Sequence, residues 1–199
     1  MIKIPLLIGL TGSIGMGKTT TAQMFADLGI PVWDADEAVH RLYSENGLAV
    51  GPIKKLFANA VIKDEVNRET LKQIIKGDST ALKQIEAIVH PLVQKDRQQF
   101  IKAAKAEIIV LDIPLLFETG YESQVDVVVV VTVSSDVQLS RVMQRQTMTE
   151  QMFHSILAKQ IPDHEKQQRA DYVIETTSRA AAKQHVQQIV QELRRQINA

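Results

Sequence analysis

Uninterrupted apolar runs along the chain predict strands that are buried on both faces. The clearest predicted strands are Leu6–Leu10, Ile108–Asp112 and Val125–Val133, the last of which contains five consecutive valines. Runs that do not alternate with polar residues are typical of the inner strands of a parallel sheet. Shorter apolar stretches at Ile30–Trp33 and Tyr172–Ile174 predict two further strands. The pattern therefore predicts an α/β fold built on a five-stranded parallel sheet.

Apolar residues at helical spacing lie between these strands and predict the helices that cover the sheet. The predicted core helices are Lys18–Leu28, Asp36–Tyr43, Asp136–Arg145, Thr149–Lys159 and Arg179–Ile197. Parallel neighbours in a sheet need a crossover connection, which is usually a helix. The alternation of strands and helices is thus consistent with the parallel sheet.

Between the second and third predicted strands the chain changes character. From 46 to about 106 it is amphipathic and helical, and Pro91 is predicted to interrupt it before a further helix from Leu92 to about Lys105. A chain of 199 residues suits one domain. We expect a core at 1–45 and 107–199, an inserted helical lobe at about 46–106 and a lid at about 138–165.

A glycine-rich stretch after the first predicted strand has the spacing of a phosphate-binding loop. Gly12–Thr19 reads GSIGMGKT and fits the pattern G-x-x-x-x-G-K-[ST]. Glycines let backbone N–H groups converge on a phosphate, and the helix that follows adds partial positive charge. Lys18 would reach the β- and γ-phosphates, and the Thr19 hydroxyl would bind Mg²⁺. The alternative is a glycine-rich turn without a ligand.

Carboxylates follow the second and third predicted strands. Ligands of open parallel sheets bind outside the carboxyl ends of the strands, so Asp34 or Asp36 could accept a hydroxyl proton during phosphoryl transfer or help to hold Mg²⁺. The alternative is that one of them, Asp34 by position, caps the next helix. Asp112 ends the third strand, where a carboxylate would bind Mg²⁺.

The remaining candidates carry weaker signals. Arg141 and Arg145 lie four residues apart on one predicted helix and share a face, which suits either a polyphosphate or a solvated surface. Glu118, in a predicted short helix after Asp112, is equally well explained as a surface carboxylate. His90 has no second ligand at metal spacing, so the sequence predicts no metal there.

Composition excludes several classes of function. Lys plus Arg and Asp plus Glu are equal at 23 each, so net charge gives no argument for nucleic acid or an acidic membrane as a partner. The absence of cysteine excludes disulfides, thiolate catalysis and Cys-ligated zinc. We recognise no signal peptide and no apolar run of membrane-spanning length, and therefore expect a cytoplasmic protein.

Six stretches of the sequence together resemble the dephospho-coenzyme A kinase family. They follow the family's order and spacing over about Leu7–Ile174, which makes them far more specific than the phosphate-binding loop alone. The stretches are LTGSIGMGKTT at Leu10–Thr20, LGIPVWDAD at Leu28–Asp36, VHPLV at Val89–Val93, DIPLLFE at Asp112–Glu118, RVMQR at Arg141–Arg145 and ADYVI at Ala170–Ile174.

The resemblance implies ATP-dependent phosphorylation of the ribose 3′-hydroxyl of dephospho-coenzyme A, with ATP and dephospho-coenzyme A as small-molecule partners and Mg²⁺ as cofactor. It implies a nucleoside-monophosphate-kinase-like core, a helical acceptor-binding lobe and a lid. Catalytic roles are implied for Lys18, for Asp34 as the base, and for Arg141 at the lid.

The same resemblance implies the binding residues. Those expected to bind ATP are Gly12, Gly15, Met16, Gly17, Lys18, Thr19, Thr20 and Arg145. Those expected to contact the acceptor are Asp36, His90, Pro91, Leu115 and Glu118. The expected Mg²⁺ ligands are Thr19 and Asp112.

Three other functions are compatible with parts of this pattern. The nearest is another small-molecule or nucleoside-monophosphate kinase of the same fold. A GTPase switch would carry an N-K-x-D guanine motif, and none occurs here. A nucleotide-binding regulator without turnover is the third alternative, and only an assay of ATP consumption separates it from a kinase.

Overall fold

A computed structural model describes residues 4–199, and these residues fall into two compact units. One unit comprises the chain up to Trp33 together with Ala104–Ala199, and the other comprises Asp34–Ala103. The second unit thus begins at the end of the second strand, whereas the sequence places the start of the lobe at residue 46. Within residues 4–199, no helix has the length and apolar character needed to cross a membrane.

The described residues contain seven strands in two sheets. They are β1 (Leu6–Thr11), β2 (Val32–Asp34), β3 (Val61–Ile62), β4 (Glu65–Val66), β5 (Ile108–Asp112), β6 (Val127–Thr132) and β7 (Tyr172–Glu175). The main sheet has the order β2-β5-β1-β6-β7, and β1 is parallel to both of its neighbours. The predicted five-stranded parallel sheet is confirmed.

Nine α-helices occur in residues 4–199. They are α1 (Lys18–Asp27), α2 (Ala35–Tyr43), α3 (Val50–Leu56), α4 (Arg68–Gly77), α5 (Ala81–Ala103), α6 (Ser135–Gln144), α7 (Glu150–Leu157), α8 (Asp163–Gln168) and α9 (Arg179–Ile197). The five predicted core helices correspond to α1, α2, α6, α7 and α9, with ends that differ by up to two residues. Thr149 caps α7 by accepting a hydrogen bond from the Met152 N–H.

The core of the first unit explains why its strands read as continuous apolar runs. Ile8 and Leu10 of β1 and Val129 and Val131 of β6 are fully buried and belong to one apolar cluster. Phe25 of α1 is in the same cluster, as are apolar residues of α9. The inner strands are covered on both faces, so they have no solvent-facing positions for polar residues to occupy.

A second apolar cluster forms the core of Asp34–Ala103. Ile53 of α3, Leu71 of α4 and Ile85 of α5 pack within it. The same unit contains the antiparallel hairpin of β3 and β4, which the sequence does not predict. Two-residue strands carry no measurable periodicity, and the turn uses Lys63 and Asp64 at positive φ where an Asn-Gly pair would have been recognisable.

The predicted break at Pro91 is wrong. One helix, α5, runs through it from Ala81 to Ala103. Proline removes one backbone donor and usually kinks or ends a helix. Here Pro91 and His90 are both exposed, so the carbonyl freed by Pro91 can be solvated, while Ile85 and Val89 hold the helix to the core.

One further prediction is wrong, and one short helix was not predicted. Glu118 lies in a turn rather than a short helix, because Gly120 takes a positive φ of 67° and the chain bends there. The short helix α8 forms after Pro162, where the sequence predicts no helix. Its residues, DHEKQQ, are all polar, so they carry no apolar period to reveal it.

The phosphate-binding loop packs closely against the main sheet at Gly12, where there is no room for a side chain. A Cβ added to Gly12 would lie 2.4 Å from Val131 Cγ2 and 2.8 Å from the Val131 carbonyl oxygen. We expect Gly12→Ala to lower the free energy of unfolding by about 1–3 kcal/mol, because the loop or β6 must move. Denaturant unfolding measures the change.

A second glycine provides the matched control. Gly51 is exposed within α3, and a Cβ there meets nothing within 4 Å. Gly51→Ala is expected to raise the unfolding free energy by about 0.5–1 kcal/mol, because alanine has less backbone entropy to lose. Equal stability of the two variants would contradict the packing argument.

Candidate active site

The phosphate-binding loop adopts a conformation that its glycines make possible. Gly15 and Gly17 have φ angles of 81° and 91°, in the left-handed region that favours glycine. Gly17 is the N-cap of α1, and the helix begins at Lys18. Thr19 and Thr20 are exposed on the first turn, where helix N–H groups remain free for an anion.

Lys18 is held by a carboxylate from the neighbouring strand. Its ammonium forms an ion pair with Asp112, the last residue of β5. The Asp112 side chain is 1% exposed and that of Lys18 is 14% exposed. A carboxylate this deeply buried needs a partner of opposite charge, so the pair fixes Lys18 at the base of the loop. The structure therefore brings together two of the predicted site residues.

Two glutamine side chains, one on α6 and one between α7 and α8, bind the backbone of Ile14 in the loop. Gln138 of α6 is 3% exposed, and its Nε2 donates to the Ile14 carbonyl at 2.7 Å. The Gln160 Oε1 accepts from the Ile14 N–H at 3.4 Å. The sequence does not single out either glutamine, because both contacts join positions more than 120 residues apart.

Thr176 connects the loop to the arginine on α6. Its hydroxyl donates to the Met16 carbonyl at 2.6 Å and accepts from Arg141 Nη1 at 3.0 Å. Arg141 Nη2 also donates to the Thr176 carbonyl at 2.7 Å. A Cβ added to Gly17 would lie 2.9 Å from this hydroxyl. Thr176 thus supports the loop at a position that the sequence leaves without a role.

A cavity of about 410 Å³ opens beside the loop. Both predicted arginines line it, so Arg141 and Arg145 share a face as their spacing predicts. The other lining residues are Gly15, Gly17, Thr20, Thr21, Met24, Gln144, Thr176, Thr177, Arg179 and Ala182. Residues of the loop and three arginines, Arg141, Arg145 and Arg179, therefore line one space, which suits an anionic ligand.

The sequence comparisons identify the family to which these features belong. The family description that matches, over residues 6–182, is dephospho-CoA kinase. A dephospho-CoA kinase of Ruegeria pomeroyi is 56% identical over 94% of this chain and 95% of its own length. Another, of Cereibacter sphaeroides, is 48% identical over 98% of this chain and 99% of its own length. This chain belongs to the dephospho-CoA kinase family.

Solved structures agree with this assignment. A Thermus thermophilus protein of 31% identity superposes with a TM-score of 0.86, covering 96% of this chain and 98% of that one. A dephospho-CoA kinase from Campylobacter jejuni, 28% identical, has a TM-score of 0.65 and covers 95% and 97% of the two chains. An Acinetobacter baumannii shikimate kinase, 19% identical with a TM-score of 0.54, shares the fold alone.

Asp34, the predicted base in this dephospho-CoA kinase family member, is the last residue of β2. Its Oδ1 accepts the backbone N–H groups of Asp36 at 2.7 Å and Glu37 at 3.0 Å. The helix-capping role considered for Asp34 is therefore confirmed. Capping uses one oxygen and does not exclude chemistry at the other, so the catalytic role stays a prediction.

The other predicted acceptor residues occupy different environments. Asp36, His90 and Pro91 are exposed within Asp34–Ala103, on α2 and α5. Leu115 follows β5 and is 43% exposed, so its side chain is accessible to a ligand. Their acceptor contacts stay predictions.

Glu118, the last predicted acceptor residue, is tied to the chain around α8. Its Oε1 lies 2.8 Å from Lys166 Nζ and accepts the Ile161 N–H at 3.0 Å. Burial alone would raise the pKa of Glu118, but the hydrogen bonds from Lys166 and from backbone N–H groups outweigh it and lower that pKa below its ordinary value. The carboxylate is therefore charged at neutral pH, and its acceptor contact stays a prediction.

Asp34–Ala103 contains a cavity of its own, of about 500 Å³. Its lining includes His40, Tyr43, Lys63 and Arg68. The Arg68 guanidinium lies 5.7 Å from the centre of the Tyr43 ring. The sequence does not single out Arg68, because a lone arginine at a helix start looks like a surface charge.

Thr176 provides a test of how the loop is supported. Thr176→Val removes the donor to Met16 and one acceptor for Arg141 while keeping the side-chain volume. We expect the KM for ATP to rise by about tenfold, the size of effect that loss of one to two hydrogen bonds produces. Steady-state kinetics with varied ATP measures it.

The conservative variant controls for packing. Thr176→Ser keeps the hydroxyl, so its KM for ATP should stay within about twofold of the unmodified value. If valine and serine raise KM equally, the hydroxyl has no part in supporting the loop.

Proposed function

We propose that this chain transfers the γ-phosphoryl group of ATP to the ribose 3′-hydroxyl of dephospho-coenzyme A, which gives coenzyme A and ADP in the last step of coenzyme A biosynthesis. Membership of the dephospho-CoA kinase family supports the acceptor. The observation that carries the phosphoryl-transfer chemistry is the loop geometry, with Lys18 held on Asp112 and the start of α1 open to an anion.

ATP is the donor in this proposal. The amides of Gly12, Gly15, Met16 and Gly17 and the start of α1 at Thr19 and Thr20 receive its phosphates, and Lys18 neutralises their charge. Arg141 and Arg145, which line the cavity beside the loop, stabilise the negative charge that develops during transfer.

Magnesium fits the oxygen ligands at the start of α1 and the end of β5. Mg²⁺ prefers carboxylate, hydroxyl and phosphate oxygens, and Thr19 and Asp112 supply the first two kinds. These two residues would hold the ion, which would neutralise charge on the phosphates when bound. Ligands from ATP and water would complete such a site, since Mg²⁺ is seldom bound by protein groups alone.

The chemical step is a direct displacement at phosphorus. Asp34 orients the 3′-hydroxyl and accepts its proton as the oxygen forms a bond to the γ-phosphorus. The bond between that phosphorus and the β–γ bridging oxygen breaks, and ADP leaves with its electron pair. Asp36, His90, Pro91 and Leu115 are proposed to contact the acceptor.

An acceptor panel separates this proposal from its nearest alternatives. ADP release is measured with ATP alone and then with dephospho-coenzyme A, adenosine monophosphate or shikimate added. We expect ADP release to exceed the rate with ATP alone only when dephospho-coenzyme A is the added acceptor. Faster release with a nucleoside monophosphate would support another small-molecule kinase, and no release with any acceptor would support a regulator without turnover.

Asp34 is tested by a variant that keeps its cap. Asparagine is as good an N-cap as aspartate but is no base, so Asp34→Asn should leave the melting temperature unchanged. Its kcat for coenzyme A formation should fall by about 10²-fold or more, the scale of general-base loss. Thermal unfolding and steady-state kinetics measure the two effects.

Asp34→Ala separates the two roles of the side chain. It loses the cap as well as the base, so it should also lose about 0.5–2 kcal/mol of stability. Near-normal turnover by the asparagine variant would remove Asp34 from the role of base.

A further inference from the structure

Lys166 on α8 is a fully buried lysine that the proposed chemistry does not use. Its side chain is 0% exposed, and its Nζ lies 2.8 Å from Glu118 Oε1. Lysine is almost never fully buried unless its charge is paired. Removing one partner of such a pair leaves an uncompensated charge, so the position of α8 depends on Glu118.

Glu118 binds both the residue before Pro162, which precedes α8, and Lys166 within α8. The same oxygen that pairs with Lys166 accepts the Ile161 N–H at 3.0 Å. The neighbouring residue, Gln160, is the one whose side chain reaches the Ile14 N–H of the phosphate-binding loop. The ion pair is therefore connected to the loop through two adjacent residues. Ile161 binds Glu118, and Gln160 binds Ile14.

A second contact fixes the same stretch to the sheet. Asp163 Oδ2 accepts from the Thr132 hydroxyl at 2.6 Å, at the end of β6. Gln167 Nε2 donates to the same carboxylate oxygen at 2.6 Å. Residues 160–167, which we call the lid root, are thus bonded to the loop, to β6 and to the turn after β5.

We propose that Lys166 is a positioning residue for phosphoryl transfer, which acts by pairing with Glu118 to fix the lid root so that Gln160 lies against the loop at Ile14. This inference rests on the proposed kinase function. It gives Glu118 a positioning role in place of an acceptor contact.

The predicted consequence is a defect in coupling rather than in ATP binding. The loop is held separately by the Lys18–Asp112 pair and by the hydrogen bond from the Thr176 hydroxyl to the Met16 carbonyl. A displaced lid root would leave the γ-phosphate open to water, because closure over the phosphates is what excludes it. ATP hydrolysis without acceptor would then rise relative to transfer.

The experiment compares four variants of the full chain. Lys166→Met removes the charge, and Lys166→Arg keeps it. The double variant Glu118→Gln with Lys166→Met removes both charges but keeps an oxygen for the Ile161 N–H, so it should fold stably even where the single variant does not. Lys183→Met, at an exposed position on α9, controls for loss of one positive charge.

Each variant is measured for melting temperature, for kcat and KM with ATP, and for the ratio of acceptor-free ADP release to coenzyme A formation. We expect the double variant to melt like the unmodified protein, yet to lose about 10–10²-fold in kcat, because misplacement by about 1 Å can cost up to about 10²-fold. Its KM for ATP should change little, and its ratio of hydrolysis to transfer should rise.

The two control variants, Lys166→Arg and Lys183→Met, decide the interpretation. Lys166→Arg keeps the charge, so its ratio of hydrolysis to transfer should stay low. Lys183→Met should match the unmodified protein in every measured quantity. The inference is overturned if the double variant has an unchanged ratio, or if its activity simply follows its melting temperature. An unmodified protein that forms no coenzyme A would instead refute the proposed function, so the two failures are distinguishable.

Discussion

The buried ion pair of Lys18 and Asp112 is the interaction on which the rest of the site depends. Asp112 lies at the end of an inner strand with a side chain that is 1% exposed, so its charge must be compensated. Lys18 provides that compensation from the first turn of α1, which places the loop over the end of β5. In the proposed function, a bound triphosphate would draw the Lys18 ammonium towards its phosphate oxygens, which would leave the Asp112 carboxylate available to a cation.

The surroundings of the loop make this exchange possible without rebuilding it. The Ile14 and Met16 peptides are held by Gln138 and Thr176, and Gly12 packs directly against Val131. Donors that are already in place cost little reorganisation when charge develops on the phosphates. The lid root adds a third support through Gln160, which links the shape of the loop to the position of α8.

Much of this arrangement could be predicted from local sequence. The inner strands could be predicted because burial on both faces leaves continuous apolar runs. The phosphate-binding loop could be predicted because its glycines occur at fixed spacing. The Asp34 cap follows from its place before a helix. Thr176, Gln138 and Lys166 could not be predicted, because each acts through a partner far away in the chain, 160 residues for Thr176 and Met16. The hairpin of β3 and β4 could not be predicted because its strands are too short to show a hydrophobic period. Helix α8 could not be predicted because its residues are all polar.

The proposed function is phosphorylation of one hydroxyl of one acceptor. The most direct measurement is phosphorus–proton correlation NMR of the product formed from ATP and dephospho-coenzyme A, together with the amount of ADP released. The expected product is a phosphomonoester coupled to the ribose 3′ proton, formed with one ADP for each product molecule. A phosphate on another position, or ADP released without a phosphorylated acceptor, would contradict it.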